Sequence, residues 1–187
     1  MPHISLENDV PGIRSLVLFR PETGKHLYDL VQILLRGEST INEGDRELIA
    51  AYVSHRNNCS FCRNSHAAAA RCLYENEQGI VNQVLSDPET ASIPELLKSL
   101  LNIAGKVQIQ GKAVLPQDIE RARNAGANDR AIHDTVLIAA TFSMFNRHVD
   151  GLDSFTPIDE NLYNEMGMRM AKGYNFPVNN QVAHDIK

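Results

Sequence analysis

From residue 22 to residue 149 the apolar residues of this chain recur at three- and four-residue intervals, in blocks closed by helix-starting or helix-ending residues. That periodicity points to helices rather than to a sheet. In "ETGKHLYDLVQILLR" (22–36), Leu27, Leu30, Val31, Leu34 and Leu35 form one stripe. "GEST" interrupts the chain. Asn42 then suits a helix cap, with Glu43 and Asp45 in the first turn, where the helix dipole favours carboxylates. That helix runs through "GDRELIAAYVSHR", and another is predicted from near Cys59 through "AAAARCLYE". Ser92 and Glu95 read as a capping box around Pro94. They open "ELLKSLLNIAGKVQIQG", striped by Leu96, Leu97, Leu100, Leu101, Ala104 and Val107. "QDIERARNA" stops at Gly126, a good helix terminator. Asn128 then caps "DRAIHDTVLIAATFSMFNRHV", whose buried side carries Ile132, Val136, Ala139, Ala140 and Phe145. The run "VLIAATF" alone is short enough for a strand, but its context and the Asn cap favour helix. No two-residue alternation and no β–α alternation occurs, so the expected class is all-α, a helical bundle with short connections. The reading places one helical domain over 1–155. The polar tail with its scattered aromatics, 156–187, is expected as an extension lying across a neighbouring subunit.

Composition narrows the function. A chain of 187 residues, 43% apolar and 22% charged, has the size and makeup of one ordinary globular domain. Its formal charge of -5 and the lack of a Lys/Arg cluster argue against a nucleic-acid partner. No apolar run reaches the ~18 residues of a membrane span. The start "MPHISLENDVPGIRSLVLF" lacks a basic region followed by a long apolar core, so the expectation is a cytoplasmic protein without a signal peptide. In a reducing compartment a tight cysteine cluster points to catalysis or metal rather than to structural disulfides.

All three cysteines lie in "NNCSFCRNSHAAAARC" (57–72). If Cys59 opens a helix, each residue turns about 100° around the axis, and Cys59, Cys62 and His66 fall within roughly 60° of one another. Both thiols then have a route to reactivity. Cys59 would meet the free N–H groups of a helix start, which stabilise a thiolate. Cys62 would have the His66 imidazole one turn away, able to take a thiol proton near neutral pH. Spacing alone does not decide which attacks first. Cys72 stands apart as a small buried hydrophobe, and His133 and His148 read as surface or satisfied core groups. Glu47, on the preceding helix, shares a face with Ala50, Ala51 and Ser54, opposite Leu48, Ile49, Tyr52 and Val53. Small neighbours would let another helix approach and bury the carboxylate, raising its pKa; a solvent-facing glutamate is the bland alternative. A metal reading competes, because His55, Cys59, Cys62 and His66 form a zinc-ligand set by type. Four ligands on one continuous stretch strain a tetrahedron, even with "RNN" breaking the helix between His55 and Cys59.

Taken together, "INEGDRELIAAYVSHRNNCSFCRNSHAAAAR" resembles the core of the alkylhydroperoxidase D-like, carboxymuconolactone decarboxylase superfamily, and more narrowly its peroxidase-related subgroup. The pattern is a glutamate, Cys-x-x-Cys twelve positions on, and a histidine four after the second cysteine; Glu47, Cys59, Cys62 and His66 fit each interval. "RPETGKHLYDLVQILLRGES" and "ARNAGANDRAIHDTVLIAATFSMFNRHVDGL" are similar to the flanking helices, so the resemblance spans roughly residues 10–155. It implies an all-helical bundle assembled as a trimer or hexamer. It also implies a thiol-dependent hydroperoxide reductase in which Cys62 is peroxidatic, Cys59 is resolving, and Glu47 and His66 relay protons. The partners implied are a hydroperoxide and an external thiol or protein reductant; no cofactor and no metal are called for. Alkylhydroperoxidase D itself has a histidine just before the second cysteine, where this chain has Phe61, so its relay would be simpler or its reductant different. The members that decarboxylate lactones lack the cysteine pair. The alternative function is a non-enzymatic zinc-binding or redox-sensing helical oligomer.

Overall fold

In a computed structural model, residues 1–75 and 79–176 are described. Helices α1 (Ile13–Phe19) and α2 (Pro21–Arg36) lead into α3 (Glu43–Arg56) and α4 (Ser60–Tyr74). They are followed by α5 (Gly79–Ser86), α6 (Glu95–Ile109), α7 (Pro116–Asn124), α8 (Asp129–Gly151) and α9 (Glu160–Ala171). Among the described residues there is no strand, and no helix is long and apolar enough to cross a membrane. The class is all-α, as the periodicity predicts, and "VLIAATF" lies inside α8.

Helix α3 is the axis of the bundle. Every residue from Arg46 to Ser54 is buried, so both of its faces are covered, not only the one bearing Leu48 and Ile49. The Glu47 and Ser54 side meets α4 and α8, through His66 and Asn146. The Tyr52 side meets α6 at Gly105, where an added Cβ would lie 3.2 Å from the Tyr52 hydroxyl. The main core joins Leu35, Leu48, Ile49, Val53, Leu100, Leu101, Ile138 and Phe142. Asn42 caps α3 by accepting from the Asp45 N–H at 2.8 Å, and Asn128 caps α8 by accepting from Ala131 N–H at 2.8 Å. The capping box at Ser92 and Glu95 does not form. Pro94 is the N-cap of α6, which puts Glu95 in the first helical position, and no side chain caps that end.

Three short elements carried little periodic signal: α1, α5 and α9. Of these α9 matters most for the site. It packs along α4, where the run Ala67–Ala70 offers no bulk, and Gly167 brings the two backbones together. Within the described part of the 156–187 segment, α9 packs on α4 of its own chain and Tyr174 reaches Gln32 of α2 and Glu47 of α3; 177–187 are outside the described residues. A Cβ at Gly167 would sit 2.6 Å from the carbonyl carbon of Ala68, and a backbone cannot move aside as a flexible side chain does. Gly167→Ala is expected to destabilise the chain by about 1–3 kcal/mol, read as a lower denaturant midpoint.

Candidate functional site

The connection from α3 to α4 positions the sulfurs. Asn57 caps the end of α3, and Asn58 adopts φ +59°, the left-handed conformation that Asn tolerates better than most residues. The Cys59 N–H then donates to Ser54 O at 3.0 Å, and α4 begins at Ser60. "RNN" does break the helix, as its composition predicts. Cys59 is the N-cap residue in extended backbone, one position before α4 begins. Its side chain makes no capping bond.

Both thiols are free and buried, Cys59 at 0% and Cys62 at 3% exposure. They sit in a small apolar cluster with Phe61, Ala68, Val149, Tyr163 and Met166. The hydrogen bond with Cys59, burial and the Cys59 charge push the Cys62 thiol well above its ordinary value. The Asn146 side chain opposes them, while Asp150 adds to the rise. The groups that set the proton affinity of the resting Cys62 thiol are thus Cys59, its burial, Asn146 and Asp150, and His66 is not among them. His66 is engaged through its Nδ1 side.

Its partner is Glu47, which is 0% exposed. Oε2 of Glu47 accepts from Nδ1–H of His66 at 2.6 Å. Oε1 accepts from Arg36 Nη2 at 2.5 Å and from the Tyr174 hydroxyl at 2.5 Å. Burial works to raise the Glu47 carboxyl, but the His66 charge and hydrogen bond, the Arg36 charge and the Tyr174 hydrogen bond outweigh it. The carboxyl is held below its ordinary value, the reverse of the rise expected from small-residue packing alone. An ionised carboxylate only accepts, so the imidazole must carry its proton on Nδ1, leaving Nε2 for the other side of the ring. The ring packs edge-on to Phe142, with centroids 4.4 Å apart.

Cys62 and His66 both line a cavity of about 410 Å³. Its walls include Ile13, Val31, Phe61, Phe142, Phe145 and Met166, and the segment Lys172–Asn175 closes one side. Cys59 does not reach it. Phe61 stands beside Cys62 and leaves room for no side chain at Gly12, where a Cβ would lie 2.1 Å from its ring. The metal set is not assembled. His55 lines a different cleft with Tyr52 and Asp87, His66 faces Glu47, and no group of three His, Cys, Asp or Glu suited to a metal occurs among the described residues. His133 is exposed and pairs with Asp134 at 3.1 Å, and Cys72 is only half-buried.

Sequence reasoning missed Arg36, Asn146 and Tyr174. A signal for Asn146 existed: it falls four residues after Phe142 and three before Val149, a polar group on a buried stripe. Its side chain accepts from Asn57 at 2.8 Å and donates to Ser54 at 3.0 Å. Arg36 and Tyr174 reach Glu47 from 11 and 127 positions away, and no local pattern links them.

Neither a protein-family model nor a curated protein matches the chain. Solved structures do. An uncharacterized peroxidase-related protein from Silicibacter sp. TM1040 is similar with a TM-score of 0.73 and 26% identity, over 80% of this chain and 78% of that one. An alkylhydroperoxidase AhpD core, an uncharacterized peroxidase-related protein from Ralstonia eutropha JMP134, is similar with a TM-score of 0.75 and 25% identity. That match covers 84% of this chain and 81% of the other.

Replacing Glu47 tests the buried network. Glu47→Gln leaves the Arg36 guanidinium, whose side chain is 5% exposed, without its buried anion and with only the partly exposed Glu43 carboxylate 3.6 Å away. A loss of about 3–5 kcal/mol in unfolding free energy is expected at neutral pH. In the folded chain Glu47 binds its proton less tightly than in the unfolded chain, so acid favours unfolding. That contribution is complete above the ordinary value of 4.5 and is lost as pH falls through the lower folded value. The Glu47→Gln protein should lack this part of the acid limb of wild-type stability, measured by denaturant titration across pH.

Proposed function

We propose that this chain, a peroxidase-related protein of the alkylhydroperoxidase D-like superfamily, is a thiol-dependent hydroperoxide reductase. The observation that carries this reading is the pairing, in one apolar cavity, of Cys62 with a His66 held through Nδ1 by buried Glu47. Cys62 is the attacking sulfur. It is the cysteine that lines the cavity, whereas Cys59 lies behind it.

Because Cys62 is held as a thiol, attack has to be coupled to removal of its proton. Nε2 of His66 accepts that proton as Sγ attacks the terminal oxygen of the hydroperoxide. The S–O bond forms and the O–O bond breaks. The imidazolium is stabilised by the Glu47 carboxylate and returns the proton to the departing alkoxide, which leaves as an alcohol. Cys59 Sγ then attacks the sulfenic sulfur; the S–S bond forms, the S–O bond breaks, and the hydroxyl leaves as water with the Cys59 proton. This capture precedes over-oxidation of Cys62. Residues three apart at a helix start are close enough for a disulfide, which needs Cα atoms within about 7 Å. The pair has supplied two electrons, and an external dithiol or protein reductant returns them. Exposed apolar side chains, among them Ile33, Ile109, Phe155 and Ile158, support assembly as a homo-oligomer.

Hydroperoxide consumption with dithiothreitol should fall to background in Cys62→Ser. Cys59→Ser should instead accumulate a sulfenic acid that a dimedone-type reagent traps. One equivalent of hydroperoxide should lower the wild-type mass by two hydrogens, mapped to Cys59 and Cys62. Undiminished consumption by Cys62→Ser would reject the reading.

A further inference from the structure

We propose that Tyr174, contributed by the segment after α9, is a positioning residue of the site: its hydroxyl and Arg36 together hold one oxygen of Glu47 and so reserve the other for His66. The inference rests on the proton-relay reading of Glu47 and His66 and extends it to a part of the chain that the cysteine motif does not include.

The segment is tied down at successive points. Arg36 Nη2 donates to Met170 O at 2.8 Å while it also binds Glu47. Gly173 takes φ +126°, and the Tyr174 N–H then donates to Gln32 Oε1 at 2.6 Å. The Arg36 guanidinium lies over the Tyr174 ring, 5.2 Å from its centroid. These contacts aim the hydroxyl at Oε1, 2.5 Å away. Burial and the Glu47 charge push the Tyr174 hydroxyl well above its ordinary value, so it stays a donor wherever Glu47 is ionised. With Oε1 held by two donors, the carboxylate cannot turn without losing both, and Oε2 stays on Nδ1 of His66. The same segment forms one wall of the cavity. Wall and relay are therefore held by the same contacts.

Tyr174→Phe removes the hydroxyl and keeps the ring that packs beneath Arg36. If Tyr174 served packing alone, Phe would replace it fully. A hydrogen bond to a carboxylate favours its charged form, so losing this one moves proton uptake by Glu47 to higher pH, by about one unit. The experiment compares wild type and Tyr174→Phe in two ways: the pH dependence of Cys59–Cys62 disulfide formation by a hydroperoxide, and the ¹³C titration of the Glu47 carboxyl. The expected result is an upward move of the acid limb and of the carboxyl titration, with KM within about twofold and the native fold retained; by linkage the unfolding midpoint falls at neutral pH and converges on that of wild type in acid. Superposable titrations, or a loss equal at every pH, overturn the proposal. If wild type does not consume hydroperoxide, the peroxidase reading falls, and the carboxyl titration still decides the role of Tyr174. Should Tyr174→Phe not fold, the wild-type spectrum decides. A slowly exchanging Tyr174 hydroxyl proton close to Glu47 supports the proposal, and rapid exchange with water overturns it.

Discussion

A carboxylate without any solvent contact lies at the centre of this bundle, and much of the architecture around it follows from keeping that charge satisfied. An isolated buried anion is prohibitively unfavourable. Glu47 is tolerated because three donors converge on it: Arg36 from the last turn of α2, His66 from the second turn of α4, and Tyr174 from beyond α9. Each donor fixes the place of the element that carries it. The end of α2 must stop beside α3, α4 must turn its cavity face inward, and the chain after α9 must return to the core.

The network also separates two tasks that the sequence motif merges. His66 is set by Glu47, while the proton affinity of Cys62 is set by Cys59 and by burial. A high proton affinity in the resting thiol is compatible with the proposed chemistry, because a thiol that loses its proton only as substrate arrives is poorly reactive otherwise. What joins the two halves is the cavity, into which both residues open.

The fold was largely legible in the sequence where helices are long and striped. The apolar spacing of α2, α6 and α8 and the caps Asn42 and Asn128 identified those elements, since a long amphipathic helix repeats its signal several times. Helices α1 and α5, of 7 and 8 residues, repeat it too few times to stand out, and α9 buries only Tyr163, Met166 and Gly167, too sparse a stripe to read. Of the candidate site, the meeting of Cys62 and His66 at one cavity was legible, because their four-residue interval on one helix is fixed along the chain. The direction of the Glu47 shift was not, since it depends on contacts with His66 first and then with Arg36 and Tyr174, all made only once the bundle closes. The same limit applies to Cys62: helical geometry gave the neighbour one turn away, but the packing of α8 supplied Asn146 and Asp150.

The burial of Cys59 behind Cys62 has a kinetic consequence for the proposed chemistry. Only one sulfur of the pair opens to the cavity, so the oxidant arriving in one half-cycle and the thiol arriving in the next must use the same entrance and meet the same atom. Neither can be seated while the other is there. Turnover would then follow ping-pong order, with an excess of either reactant slowing the half-reaction of the other.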